Sequence, residues 1–303
     1  MCMEVTREHN TSYFHLAGIV PVSGLENRFN NMLPDCLTPI GDDYSLIEAA
    51  VVECAYAGCD TIWVICNDDV SPLVREKLGD FVQDPVYVYR KFDYSPRESQ
   101  RPIPIYYVPI HPKDRNKRDC LPWSVIYGSL VAFKTADFLS TWIAPNKYYV
   151  SFPYGYYKPS QLREHRKLIS SSKNVYISYE GQTMKDNLYT SFTFGKDEFI
   201  EFRRVIRTGT GRFVPGKGYG PVEDRETLPI EDRWSARFFD NKKVFEPFKL
   251  EEAHEIKIEG YHPVSNWSEY TSFFKNSDKA VFRPKSLLQR EKATGVAHDY
   301  SED

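Results

Sequence analysis

Metal-binding and redox spacings are missing from this chain of 303 residues. Its six cysteines, Cys2, Cys36, Cys54, Cys59, Cys66 and Cys120, form no C-x-x-C pair, and no Cys/His pairs stand at ligand spacing. That speaks against a zinc site. No apolar run approaches the roughly 20 residues of a membrane span. The opening MCMEVTREHN shows no secretory leader, so none is expected. No sign of charge dominates either. With 39 Lys and Arg against 42 Asp and Glu, the net charge of −3 speaks against a protein whose main task is coating nucleic acid. What is present is globular in character: 41% hydrophobic and 27% charged residues, with length for one large α/β domain or one domain and an appendage. Cys54, Cys59 and Cys66 fall on or beside apolar segments. Buried free thiols and a reducing, cytoplasmic setting are therefore expected.

The richest stretch is Gly18–Gly58. Gly18–Val22 continues an apolar run from Leu16 and predicts a buried strand, closed by a turn at Ser23-Gly24. A loop with Arg28 follows, then Leu33-Pro-Asp-Cys-Leu-Thr-Pro-Ile-Gly41. Asp42 or Asp43 is placed to cap a helix over Tyr44–Ala57, and Gly58 is its stop. Thr61–Cys66 predicts a second buried strand. Together these make one βαβ unit.

This unit resembles the N-terminal signature of the nucleotide-sugar pyrophosphorylases, sugar nucleotidyltransferases on a Rossmann-like GT-A fold. Gly24-Leu25-Glu26-Asn27-Arg28-Phe29 stands where the family has G-L-G-T-R-M, and Pro34-Asp-Cys-Leu-Thr-Pro39 stands where it has P-K-x-x-L-P. The first Gly, the Arg and both prolines are retained. Glu26 replaces the second Gly, Asn27 the Thr and Asp35 the Lys. The loop glycines let backbone N–H groups approach phosphate, and the lysine offers it a cation. Glu26 and Asp35 reverse the sign. Two unit charges at close range interact by about 4 kcal/mol at an effective dielectric near 20. Arg28 alone does not offset both.

The resemblance also implies two metal carboxylates. One ends the central strand, which Lys147–Phe152 matches. That strand runs into Pro153-Tyr-Gly-Tyr-Tyr157 with no carboxylate. The other lies in a stretch of the form G-Y-W-x-D-x-x-x-x-x-D-Y, to which Glu259–Tyr270 is similar. His262-Pro-Val-Ser-Asn266 holds none, and Glu269 is the one acidic residue near the second position. The resemblance thus points to a degenerate member of the family. No metal site is assigned, no cofactor is expected, and Arg28 is the residual catalytic candidate.

The rest of the chain alternates strand and helix. Strands are expected at Ile103–Ile110, Asn174–Tyr179 and Leu188–Phe194, and helices at Trp123–Phe138, Pro159–Ile169 and Lys196–Ile206. The stripe of the first of these helices is Ile126, Tyr127, Leu130, Val131, Lys134 and Phe138. The fold class is α/β: a mostly parallel, doubly wound sheet with helices on both faces, like that of the nucleotide-diphospho-sugar transferases, with a smaller C-terminal extension. The expected division is 1–207 for the nucleotidyltransferase-like domain, 208–285 for an extension on the same domain, and 286–303 for a polar, flexible tail. Any ligand cleft lies at the carboxyl ends of the strands, beside Gly24, Pro153 and Tyr154.

Other features have two readings each. Tyr87–Arg101 and His111–Asp119 carry clustered Arg and Lys. They form either a basic-aromatic surface or, since Asp and Glu are interspersed, solvated loops, the reading preferred. Thr208–Gly220 has five glycines and Lys217 but lacks the G-K-[ST] ending, which favours a hairpin or linker over a phosphate loop. Asp68-Asp69 is a metal pair or, more commonly, the cap of the next helix. His165 is taken as a surface residue. Tyr154, Tyr156 and Tyr157 at the cleft could stack a base or sugar, but such clusters more often fill cores and interfaces.

Two functions follow from the resemblance. The first is a catalytically degenerate structural or interaction module with protein partners, in a larger assembly of which a phage particle is one example. The second is an active, Mg²⁺-dependent enzyme making an NDP-sugar from an NTP and a sugar 1-phosphate. Nucleotide or nucleotide-sugar is a further candidate ligand, and membrane and nucleic-acid partners are not expected. A glycosyltransferase of related fold would need a D-x-D motif, and the chain has none.

Overall fold

The computed structural model describes residues 14–22, 29, 33–88, 101–115, 120–139, 144–210, 227, 239–276, 281 and 284. The apolar runs become strands of one sheet: β1 (Leu16–Pro21), β2 (Thr61–Cys66), β3 (Phe81–Gln83), β4 (Pro102–Pro109), β5 (Lys147–Val150), β6 (Val175–Ser178), β7 (Phe192–Phe194) and β8 (His254–Lys257). Their order is β8-β6-β7-β5-β1-β2-β4-β3. β1 lies parallel to β2 and β5, β2 to β4, and β6 to β8. β7 opposes both of its neighbours and β3 opposes β4. This is the doubly wound, mostly parallel sheet that the alternation predicted.

Side chains alternate along each strand, so each strand feeds two cores. Leu16, Val20, Ile62 and Val64 pack under α1 (Leu46–Ala57) and α2 (Ser71–Leu78). Ala17, Ile19, Trp63 and Ile65 pack on the other face, with Val125 and Ile126 of α3 (Leu121–Leu139) and Phe202 and Ile206 of α4 (Lys196–Gly209). No helix among the described residues is long and apolar enough to cross a membrane.

α1 ends as its sequence predicts. Gly58 takes φ +93°, where a Cβ would also collide with the Arg166 guanidinium. Its start differs from expectation. Asp42 and Asp43 do not cap it, because Tyr44–Ser45 first pairs with Pro39–Gly41 as a short hairpin. The N-cap is Ser45, and Glu48 reaches back to accept from both the Ser45 N–H and its Oγ, each at 2.9 Å.

α3 follows its expected stripe only in part: Ile126 is buried and Tyr127 and Val131 pack against the same core, but Lys134 and Phe138 face outward. Its buried residues include Val125, Gly128, Ser129, Ala132 and Ala136, while Phe138 is 90% exposed. Gly128 explains the choice. A Cβ there would stand 2.3 Å from the Ile65 Cδ1, so the small-residue face is the one that can approach β2. Three smaller differences accompany this one. Pro159–Ile169 divides into a 3-10 turn (Pro159–Arg163) and one α-turn (Arg166–Ile169). Leu188–Phe194 narrows to Phe192–Phe194. Asp68-Asp69 sits in an exposed turn, and α2 begins after Val70 with no side-chain cap.

The C-terminal part contributes β8 at the sheet edge and α5 (Trp267–Asn276) above the carboxyl ends of the strands. There Val264 and Phe273 join Phe29, Ile40, Tyr44, Leu46 and Ala49 in a third, smaller apolar cluster. None of the five described cysteines forms a disulfide, and all five are buried.

Candidate functional site

The strand order reverses at β1. From β1 the chain runs outward through β2 to β4, then returns across α3 to β5 on the other side of β1. Open sheets of this kind bind ligands in the crevice beyond the carboxyl ends of the strands at the reversal. Val22 and Ser151 mark that place here. The Val22 N–H donates to the Ile65 carbonyl at 2.8 Å and the Ser151 N–H to the Ile19 carbonyl at 3.0 Å. The Tyr154 hydroxyl spans the reversal and donates to the Val22 carbonyl at 3.0 Å.

Of the residues expected to line the first lip, Gly24, Leu25, Glu26, Asn27 and Arg28 lie outside the described residues. So do most of the glycine-rich stretch, with Lys217, and parts of both basic inserts. Asp35 is described. It opens a 3-10 turn, Asp35–Leu37, and is 8% exposed. Its Oδ1 accepts from the Phe29 N–H at 3.4 Å, so the carboxylate folds back onto its own loop.

The second lip is aromatic and packed. Phe152, Tyr154 and Tyr157 are buried, and Tyr156 is half-buried. Phe152 and Tyr154 both lie against the Tyr189 ring, at centroid distances of 5.9 and 5.4 Å. Tyr156 meets Phe273 edge-on at 5.8 Å. Burial pushes the Tyr156 phenol up to about 12, and that of Tyr157 well above its usual range. Tyr154 and Tyr157 therefore offer no open ring face, and the cluster serves packing.

A strand of the C-terminal part closes against this lip. His262–Pro263 pairs antiparallel with Gly155–Tyr156, and the Val264 N–H donates to the Tyr154 carbonyl at 2.9 Å. Val264 itself is fully buried. Glu269 accepts from the Ser265 N–H at 2.8 Å and its Oγ at 2.9 Å, which ties it to the first turn of α5. Further along, the Tyr270 hydroxyl donates to the Pro39 carbonyl at 2.8 Å. The segment from Tyr261 to Phe273 thus joins the lip after β5 to the hairpin before α1.

One polar group went unnoticed in the sequence. Glu53 of α1 is buried beneath the ends of β5 and β7. It accepts from the Tyr149 hydroxyl at 2.6 Å, the Ser151 hydroxyl at 2.9 Å and the Ser191 hydroxyl. Burial raises its carboxyl above the usual carboxylate range, while these donors pull it back down. A signal was available: Glu53 interrupts Ala49-Ala-Val-Val-Glu-Cys-Ala55, and a carboxylate amid such a run needs partners. Among the described residues no three His, Cys, Asp or Glu side chains are grouped to hold a metal. A Mg²⁺ held by one carboxylate and substrate phosphates would not require such a group. His165 is half-buried at the start of the Arg166–Ile169 turn.

No protein-family model and no curated protein matches the sequence. Solved structures do. The chain is similar to a CTP:phosphocholine cytidylyltransferase from Streptococcus pneumoniae, at 11% identity over 86% of this chain and 99% of that one, with a TM-score of 0.49. It is also similar to a UDP-glucose pyrophosphorylase solved with UDP-glucose, at 12% identity over 87% and 98% of the two chains, with a TM-score of 0.48. Likenesses this distant assign no activity.

Proposed function

We propose that this chain is a nucleotidyltransferase-like protein that has lost its transfer chemistry and acts as a structural or interaction module through protein partners. The observation that carries the reading is the state of the crevice at the strand reversal. The resemblance asks there for a lysine, two carboxylates and room for a phosphate chain. Asp35 stands at the lysine position, an acid where the resemblance asks for a cation, and its Oδ1 lies 3.4 Å from the Phe29 N–H. Phe152 and Tyr154 fill the end of β5, the His262–Asn266 stretch with its buried Val264 brings no carboxylate, and Glu269 accepts from Ser265 at the start of α5. Phosphoryl and nucleotidyl transfer depend on positioning and on charge stabilisation by metal and basic groups. Apolar, close-packed side chains at those places supply neither.

The test is turnover. Purified protein is assayed with Mg²⁺ for NDP-sugar synthesis and for pyrophosphorolysis, across the common nucleoside triphosphates and hexose 1-phosphates. No product above background is expected. Turnover that disappears in Arg28→Ala would overturn the proposal and establish the enzyme. Affinity capture from the native host, with the intact assembly as readout, then identifies the partner.

A further inference from the structure

Glu53 has an environment that the proposed function does not use. It stands on the face of α1 that meets the sheet, and three hydroxyls converge on it from two strand ends: Tyr149 and Ser151 at the end of β5, and Ser191 just before β7. No cation pairs with it among the described residues; burial and neutral donors govern its charge. Both charge states can be accommodated locally. The ionised carboxylate accepts from all three hydroxyls. The neutral acid donates once, and a serine hydroxyl can rotate to accept that proton. The two states differ in what they cost the fold, because a buried carboxylate without a counter-ion is expensive even when hydrogen-bonded.

We propose that Glu53 is a proton-dependent latch between α1 and the strand ends at the crevice: neutral, it holds α1 against β5 and β7; ionised, it loosens that contact. Ser151 leads directly into Phe152–Tyr157, so the aromatic lip is the part of the molecule that feels the change. The latch is independent of whether the crevice binds a nucleotide, and its failure leaves the proposed function untouched.

The other ionisable groups around it are phenols and a thiol, whose ordinary values already lie far above a carboxyl's. Tyr149 on β5, Tyr157 after β5, Tyr44 before α1, Tyr261 in the C-terminal segment and Cys54 beside Glu53 on α1 are all pushed upward, chiefly by burial. The sign follows from linkage. A carboxyl raised in the folded state above its unfolded value of about 4.3 lends stability that is complete below that value. The stability is lost as the pH rises through the folded value.

Thermal unfolding of the full chain from about pH 5 to about pH 9 tests this, with Glu53→Gln as the reference that cannot ionise. Wild type is expected to lose several degrees of Tm relative to Glu53→Gln as the pH rises, and amide protection in residues 149–157, taken against the intrinsic exchange rate at each pH, is expected to fall only in wild type. Parallel Tm curves would overturn the latch. Ser191→Ala provides a second measurement that keeps the carboxyl. Removal of a donor to the ionised form should move the step in the Tm curve to higher pH, and a step that is absent or unmoved also overturns the proposal.

Discussion

The two ends of the central strands differ in kind. At the amino ends charges are buried and paired. Asp84 is fully buried, accepts from both terminal nitrogens of Arg166, with Nη1 at 2.6 Å, and has Arg101 at 3.8 Å. Arg101 also pairs with Asp60, whose other oxygen accepts from the Leu16 N–H at 2.9 Å. Beside them the buried Lys147 ammonium donates to the carbonyls of Ile169 (3.1 Å), Ser171 (3.0 Å) and Lys173, while burial pulls it down to about 8. At the carboxyl ends, the described residues of the β5 lip are aromatic rings, hydroxyls and the valine at 264. In an α/β enzyme charge is expected where ligands bind, at the carboxyl ends. Here the Arg166–Asp84–Arg101–Asp60 network lies at the opposite end, where it fixes the fold, while the carboxyl side keeps the buried Glu53 and the Glu48–Lys77 pair at 3.3 Å.

That contrast can be broken by substitution. Asp84→Ala leaves Arg166 facing a buried space without its counter-ion and should cost about 3–5 kcal/mol, read from urea unfolding. Lys147→Met strands three carbonyls at a buried turn and should cost about 1–3 kcal/mol, read the same way. Tyr154→Phe removes one hydrogen bond across the crevice and should cost about 1 kcal/mol. A Tyr154→Phe loss as large as that of Asp84→Ala would show that the crevice end carries the stability, and the contrast would fail. Smallest of all, Ser45→Ala at the start of α1 should cost roughly 0.5–1 kcal/mol of stability, since Glu48 still reaches the residue's backbone N–H.

Much of the fold was legible in the residues. β1, β2, β4 and β5 follow from apolar runs, and α1 stops at Gly58 because its φ of +93° suits glycine. What escaped depended on partners distant in sequence. The α1 start moved to Ser45 because a hairpin claimed Tyr44. The buried face of α3 shifted toward Gly128, where only a glycine can approach Ile65 of β2, so Ile126 of the expected stripe stays inside and Phe138 turns outward. The candidate site was legible as an altered motif. That Asp35 turns inward to Phe29, and that Glu53 has hydroxyl partners 96 to 138 residues away, was not.

By itself the sequence determined the alternation of strand and helix, the two-sided core and the sign reversals at Glu26 and Asp35. These are local properties of periodicity, backbone preference and charge. Only the tertiary structure decided which end of the sheet received the buried ion pairs, which aromatic rings closed the β5 lip, and that a lone glutamate in an apolar helix would meet three hydroxyls. The reason is physical: a buried charge is tolerable only where partners converge, and convergence is set by strand order.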